Sequence, residues 1–151
     1  KLQMVFDEGL YNPANEPDIA YAYLFSRFPG EEWRTQREVR RLLDTCFTTA
    51  ADGIPGNDDT GTMSAWAVFS MMGFYPDCPG EPYYTLTAPV FDRVEIATER
   101  GPLVIEAERP ADGAGYIGRM TLGGRPLGKY RLSHDELLGG GRLKFELKND
   151  K

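Results

Sequence analysis

Apolar positions in the first half of the chain recur with the period of a helix. Residues 17–28 are expected to form one, because Pro17 suits a first helical turn and a Pro-Gly pair follows the segment. A second helix is expected to begin near Thr35, where Thr35 and Glu38 have the spacing of a capping box. The apolar residues that follow define one face: Val39, Leu42, Leu43, Cys46 and Phe47.

A third helix is expected over residues 62–72, and Gly73 suits its carboxy-terminal cap. Its side chains are apolar on most sides, a pattern typical of a helix that other helices bury. Three helices of this kind cannot cover one another fully. We therefore expect helical partners outside these 151 residues.

After Gly73 the pattern changes to short segments rich in β-branched and aromatic residues, separated by Gly, Pro and Asp. Residues 133–138 are expected to form a helical turn. Strands are expected in five ranges: 83–89, 90–98, 102–109, 116–124 and 142–149. The predicted fold is mixed α and β, with helices over residues 1–73 and antiparallel β-strands over residues 74–151.

Composition and charge narrow the function classes. Hydrophobic residues make up 41% and charged residues 26%, as in an ordinary soluble globular protein. The net charge of −6, with scattered cations, argues against nucleic acid or an anionic membrane as a partner. No apolar run approaches the roughly 20 residues of a membrane span. The single His134 excludes a multi-histidine zinc site, and a disulfide between Cys46 and Cys78 is left open.

Two polar segments stand where helices are expected to begin. The first is Asn15-Glu16-Pro17-Asp18, and the second is the loop 53–61, which places Asn57, Asp58 and Asp59 before the third helix. Neighbouring carboxylates repel, so a helix dipole or a divalent cation should compensate them. Oxygen donors suit Ca²⁺, although the spacing is not that of an EF-hand. The simpler alternative is that these residues only cap helices and form turns, and the residues alone leave both alternatives open.

Longer blocks of sequence resemble the end of the catalytic domain of glycoside hydrolase family 92. They are NEPDIAYAYLF, WRTQREVRRLL and DGIPGNDDTGTMSAWAVFSMMGFYPDCPG, followed by TAPVFDRVEI, YIGRMTLGGRPL and SHDELLGGGRL. The resemblance covers nearly the whole chain. It implies that residues 1–73 are helical hairpins from the end of an (α/α)6 toroid. It also implies a calcium-dependent α-mannosidase that removes terminal mannose with inversion.

By the same resemblance, Asp59 is the general base and Asp58 supports it. Asn57 stands where the family block has its first acid and is expected to bind substrate. The family's calcium region implies Asn15, Glu16 and Asp59 as ligands of Ca²⁺. The family's general acid lies on an earlier helix of the toroid, and nothing in this sequence matches that segment.

One weaker candidate completes the expected site, and two acids are rejected. Trp33, at a helix start, is a candidate sugar-binding platform, with packing as its alternative role. Glu8 and Glu32 are too loosely placed to stand in for the acid. The isolated chain is therefore expected to be inactive, and its partners are expected to be mannose-containing glycans and the missing amino-terminal part of a parent chain.

Further expectations concern the setting of the chain. Exposed apolar helix faces predict self-association. A secreted, periplasmic or cell-surface location follows from the family alone. The chain has no signal peptide and begins at Lys1, which indicates a piece of a longer protein or a processed start. An α-1,2 linkage is the favoured substrate, although the sequence does not decide the linkage. The alternatives to an enzyme are a non-catalytic carbohydrate-binding module and a structural fragment that folds only by association.

Overall fold

The first half of the chain is helical. The structure is a computed structural model that describes residues 1–110, 113 and 115–151. Its helical elements are α1 (Leu2–Asp7), the 3₁₀-helices η1 (Glu16–Asp18) and η2 (Tyr21–Arg27), α2 (Glu32–Cys46) and α3 (Thr62–Met72). The helix predicted over residues 17–28 therefore forms as 3₁₀ segments. Ile19, Ala22 and Phe25 recur every three residues and are buried or half-buried, which suits the three-residue turn of a 3₁₀-helix.

Helix α2 begins three residues before the predicted capping box. Glu31 occupies the N-cap position, and Thr35 lies buried inside the helix. The Glu38 carboxylate accepts hydrogen bonds from Gln3, Arg37 and Arg41 instead of reaching the helix start. The predicted capping box is therefore wrong, because the chain enters the helix directly after the turn at Pro29 and Gly30. The predicted apolar face is confirmed, since its members lie in or against one hydrophobic cluster.

Helix α3 has the predicted bounds and the predicted cap. Gly73 has a φ of 97°, and its N–H donates to the carbonyls of Phe69 and Ser70, both at 3.1 Å. A side chain at Gly73 would lie 3.1 Å from the Thr87 carbonyl oxygen, so glycine is required by both conformation and space. Within the described residues no helix is both long and apolar enough to cross a membrane.

Two sheets and one short helix make up the second half. The sheet order β1-β2-β7 joins Phe74–Tyr75, Tyr83–Leu86 and Arg131–Ser133. The second sheet has the order β3-β4-β8-β5-β6. Its strands are β3 (Arg93–Ile96), β4 (Leu103–Glu108), β5 (Tyr116–Leu122), β6 (Arg125–Pro126) and β8 (Gly141–Lys148). The predicted helical turn is α4 (His134–Leu138), and each predicted strand range overlaps one strand.

One strand pair departs from the antiparallel prediction. Strands β4 and β8 pair in parallel, with Leu103 opposite Gly141 and Glu108 opposite Glu146. The chain between them contains β5, β6, β7 and α4, which is ample for the crossover that a parallel pair needs. The mixed α and β fold class is confirmed, whereas the division at residues 73 and 74 stays a prediction.

The helical and sheet halves are packed together. The Phe69 side chain contacts both hydrophobic clusters, and Gln36 of α2 accepts a hydrogen bond from the Ile117 N–H of β5 at 2.7 Å. Arg27 of η2 forms an ion pair with the buried Asp77 carboxylate at 2.9 Å, just after β1. Contacts from η2, α2 and α3 therefore join the helical half to the sheet half. Cys46 and Cys78 are free thiols, so the disulfide that the sequence left open is not formed.

Candidate functional site

The amino terminus of α3 has Gly61 at its N-cap position, and the Asp58 side chain satisfies one of the first N–H groups of the helix. The first N–H groups of a helix have no partner within it, and here they belong to Thr62, Met63 and Ser64. The Ser64 N–H donates to the Asp58 carboxylate at 2.8 Å, and the Met63 N–H donates to the Asp58 carbonyl at 3.2 Å. The Thr62 N–H donates to the Asp59 carbonyl at 3.3 Å. The helix start is therefore satisfied without the carboxylate of Asp59.

The backbone at Asp59 is held in an unusual conformation. Asp59, Thr60 and Gly61 have φ values of 48°, 61° and 94°, so three successive residues are left-handed. Glycine adopts this region freely, but a β-branched residue such as threonine does so at a cost of about 1–3 kcal/mol. Strain of this kind persists where surrounding contacts hold it, and it concentrates at functional sites. It is an observation independent of any sequence motif.

The Asp59 side chain is exposed and has no partner in the described part of the chain. Only its carbonyl is used, by the Thr62 N–H and by the Thr62 hydroxyl at 2.7 Å. The neighbouring Asn57 side chain is likewise exposed and makes no hydrogen bond to the described residues. Two adjacent aspartates thus have different surroundings, one fixed to the helix and one facing outward.

In the first polar segment, residues 15–18, one acid is likewise hydrogen-bonded to the described residues and the other is not. The Asp18 carboxylate accepts a hydrogen bond from the Asn12 N–H at 3.3 Å, and the Asn12 side chain accepts one from the Ala14 N–H at 3.0 Å. The side chains of Asn15 and Glu16 are exposed and form no hydrogen bond to the described residues. One acid therefore stabilises the turn, and the other is left available. The Asp18 carboxylate also acts on Tyr11, because burial first and then Asp18 raise the pKa of its hydroxyl.

The two polar segments lie against each other. Gly56 has a φ of 70°, and a side chain there would lie 2.6 Å from the Ala14 side chain. This contact joins the loop before α3 to the segment that carries Asn15 and Glu16. The same helix holds both, since the Trp66 indole N–H donates to the Ile19 carbonyl at 2.9 Å. The structure therefore brings together the two segments that the sequence singled out separately.

The donor types present fit Ca²⁺ but do not complete its coordination. Calcium takes about six to eight oxygen ligands, and Asn15, Glu16 and Asp59 offer one amide and two carboxylate groups on adjoining segments. Among residues 1–110, 113 and 115–151, no three His, Cys, Asp or Glu side chains are grouped so as to hold a metal ion. Further oxygen donors would have to come from water or from other parts of a larger protein. The predicted calcium site stays a prediction.

Trp33 is not brought to this site. It lies in the first turn of α2, whereas Phe47, at the other end of that helix, stacks on Trp66 of α3 at 5.6 Å between ring centroids. At about 1.5 Å per residue, the 15 residues of α2 separate the two ends by roughly 20 Å. Cations of Arg34, Arg37 and Lys151 lie over the Trp33 ring at 4.6, 5.0 and 4.2 Å. The geometry gives no support to Trp33 as a contact for the same sugar as Asp59.

Thr62 is the residue of this site that the sequence pattern did not reveal. Its hydroxyl bonds backwards to the Asp59 carbonyl rather than forwards along the helix. A hydroxyl residue directly after Gly61 is the only signal available, and such residues are common at helix starts. Glu8 and Glu32 remain unsupported as acids. Glu32 is occupied locally, since its carboxylate accepts the Gly30 N–H at 2.8 Å.

Residues 1–149 match the sequence model of the glycosyl hydrolase family 92 catalytic domain. The chain belongs to glycosyl hydrolase family 92. This match covers almost all of the 151 residues, including the β-strand half. The resemblance noted in the G-N-D-D block and its neighbours is thereby confirmed.

Solved structures of family 92 share the fold. The chain is 34% identical to the inverting mannosidase BT2199 of Bacteroides thetaiotaomicron, covering 98% of this chain and 20% of that one, with a TM-score of 0.85. It is 29% identical to the α-mannosidase BT3965 of the same organism, covering 94% of this chain and 19% of that one, with a TM-score of 0.86. BT3965 has also been solved in complex with mannoimidazole.

One curated relative of this chain is a secreted glycosidase. An uncharacterized secreted glycosidase of Arthroderma benhamiae is 28% identical over 155 residues, which cover 97% of this chain and 19% of that protein. The chain thus spans about a fifth of the length of these relatives. The activity of a whole enzyme therefore does not follow from these 151 residues alone.

Proposed function

We propose that this chain is part of an inverting exo-α-mannosidase that removes terminal mannose from glycans, with an α-1,2 linkage as the favoured substrate. Three features support the proposal: membership of family 92, the mannosidase activity of two similar enzymes, and the exposed carboxylate of Asp59, which is unpaired within the described residues. The state of Asp59 supports its assignment as the general base. Asp58 satisfies the helix, whereas the Asp59 carboxylate is exposed on a left-handed backbone with its electron pairs available.

In this mechanism Asp59 is the general base. An inverting glycosidase needs one carboxylate to deprotonate water and one acid to protonate the leaving oxygen, roughly 6.5–9.5 Å apart. Asp59 would accept the proton of the water that attacks the anomeric carbon. The bond from that carbon to the leaving oxygen breaks as the acid delivers its proton. We propose that this acid lies outside the 151 residues, since the nearby acids Asp18 and Asp58 are engaged in capping and turn contacts and Glu16 is assigned to the calcium ion.

Asn15, Glu16 and Asp59 are proposed to hold Ca²⁺. When bound, this ion would bind sugar hydroxyls and orient the ring for attack. The support is the contact between Gly56 and Ala14, which joins the two segments, together with the unused oxygen donors on both. Asn57 is proposed to contact the substrate, because its exposed amide neighbours Asp58 in the same loop.

The rest of a family 92 catalytic domain is the proposed partner of the α2–α3 groove. This groove, of about 420 Å³, is lined mainly by apolar side chains: Leu43, Phe47, Ile54, Ala67, Val68 and Met71. Helix α3 carries no charged residue, yet Val68 is 49% exposed. An uncharged exposed helix face is expected to be covered. The matched proteins are about five times longer and contain chain that could cover it.

The main alternative is a non-catalytic carbohydrate-binding module. The location of the unpaired oxygen donors argues against it, because they lie in the helical half rather than on the sheets. A location outside the cell is proposed from the secreted glycosidase among the relatives.

The deciding experiment compares two isosteric substitutions in a complete enzyme that contains this chain. At saturating Ca²⁺, which offsets the loss of a charged calcium ligand, Asp59→Asn removes the basic electron pair, so kcat should fall by about 10²–10⁴-fold with mannose binding nearly unchanged. Asp58→Asn is the matched control. Its amide oxygen can still accept the Ser64 N–H, so we expect a loss below about tenfold. The reverse ranking would show that Asp58 is the base, and full activity in Asp59→Asn would refute the assignment.

A further inference from the structure

We propose that Thr62 is a positioning residue that fixes the direction of the Asp59 carboxylate. The inference rests on the proposed role of Asp59 as a base and adds a residue to that site. It begins from the Thr62 hydroxyl, which donates to the Asp59 carbonyl at 2.7 Å, while the Thr62 N–H donates to the same oxygen at 3.3 Å. One residue thus holds the Asp59 peptide through two donors.

The backbone at this point needs such a restraint. Asp59 and Thr60 have φ values of 48° and 61°, a region that non-glycine residues leave readily when nothing holds them. A change of φ at Asp59 would turn its side chain about the backbone. The two bonds from Thr62 close the turn from residue 59 to residue 62 and oppose that change.

No other group in the described part of the chain performs this task for Asp59. The Asp59 carboxylate forms no hydrogen bond to the described residues, so its direction is set by its backbone. Asp58 is bound to the Met63 and Ser64 N–H groups and anchors the residue before the turn. The start of rigid helix α3 therefore fixes both sides of Asp59, and Thr62 supplies the second anchor. A base that is displaced by about 1 Å from its water can lose around 10²-fold in rate.

The test is a set of variants in a complete enzyme that contains this chain. Thr62→Val keeps the shape and loses the hydroxyl, so we expect kcat to fall about tenfold while KM stays within about twofold. Thr62→Ser restores the donor and should recover most of kcat. Thr45→Val is the matched control, because the Thr45 hydroxyl donates to the Arg41 carbonyl at the same distance of 2.7 Å but lies in α2.

A double substitution separates positioning from simple stability. If Thr62 acts through the base, Thr62→Val should cause no further loss of kcat in an Asp59→Asn background. An equal loss in both backgrounds, a wild-type kcat in Thr62→Val, or no recovery in Thr62→Ser would each overturn the inference. Full activity in Asp59→Asn would instead overturn the proposed function. Thermal unfolding of each variant checks that the comparison is made between folded enzymes.

Discussion

Asp58 and Asp59 illustrate how two identical neighbours acquire different tasks. Both precede α3, but the Asp58 carboxylate accepts a hydrogen bond from the Ser64 N–H, whereas Asp59 has a left-handed φ and an exposed carboxylate without a hydrogen bond to the described residues. The sequence predicts a capped helix start with two acids, and it cannot say which acid is the cap. Which acid becomes the cap depends on the positive φ values of Asp59 and Thr60. Local sequence preferences do not predict these values, because threonine rarely adopts a positive φ.

Glu38 offers a prediction about stability at the residue scale. Burial alone would raise the pKa of this carboxyl, but hydrogen bonds from Arg41, Gln3 and Arg37 outweigh burial and lower the pKa below 4.5. Its stabilising contribution is therefore present above pH 4.5 and is lost as the pH falls through the lowered pKa. Glu38→Gln should reduce the free energy of unfolding by roughly 1–3 kcal/mol near neutral pH.

The measurement is urea unfolding at about pH 7 and about pH 3. The difference between the wild type and Glu38→Gln should shrink at the lower pH, because below pH 4.5 the carboxyl of the unfolded wild-type chain binds a proton and the ionic contribution of the folded state declines. Asp44→Asn is the control, because Asp44 pairs with Arg40 at 2.8 Å with both side chains about half exposed. Its loss should stay below about 1 kcal/mol. A pH-independent difference for Glu38→Gln would contradict the ionic origin of its contribution.

At the scale of elements, the apolar pattern predicts α3 and five strands, because the burial of apolar side chains determines these elements. The position of Gly73 predicts the cap of α3. The pattern fails to predict features that depend on contacts between residues distant in sequence. The 17–28 segment becomes 3₁₀ under tertiary packing, and the parallel pairing of β4 with β8 depends on residues about 40 positions apart in sequence. The proximity of the two polar segments is of the same kind. It rests on Gly56 against Ala14, a contact that sequence spacing does not reveal.

That contact leads to a prediction about calcium. Gly56→Ala would place a side chain 2.6 Å from Ala14 and push the two segments apart. In a complete enzyme we expect the calcium concentration for half-maximal activity to rise at least about tenfold, since ligands on both segments would no longer converge. Glu16→Gln should act in the same direction by removing a charged ligand, and excess Ca²⁺ should partly restore activity in both.

Gly9→Ala is the control for backbone strain alone. Gly9 has a φ of 66°, close to the 70° of Gly56, but no atom lies within 4 Å of a side chain added there. Its substitution should lower stability slightly and leave the calcium dependence unchanged. A shift in calcium dependence of the same size in Gly9→Ala and Gly56→Ala would mean that strain, rather than separation of the segments, is responsible.

At the scale of the whole molecule, the chain contains a proposed base for which no acid partner is proposed within it, and one face of α3 is exposed. Both features fit the observation that it spans about a fifth of its relatives. The sequence predicts the exposed face because α3 has no charged residue. It predicts the missing acid because no segment matches the one that carries the acid in the family. It does not predict which face is open, because that depends on how α2 and the sheet cover the other sides of α3.

The isolated chain is therefore expected to show no measurable turnover of an aryl α-mannoside. One carboxylate cannot both deprotonate the water and protonate the leaving oxygen, so even a well-folded chain lacks the second catalytic group. Robust turnover by the 151-residue chain would show that its own residues include the acid.

The isolated chain is also expected to self-associate through the α2–α3 groove. Val68→Lys should shift the chain towards monomer in light scattering, because a charge in the groove opposes apolar contact. Met4→Lys is the matched control, since Met4 is 51% exposed and Val68 49%, but Met4 lies on α1 outside the groove. A monomeric wild-type chain, or equal effects of the two substitutions, would show that the groove is not the associating surface.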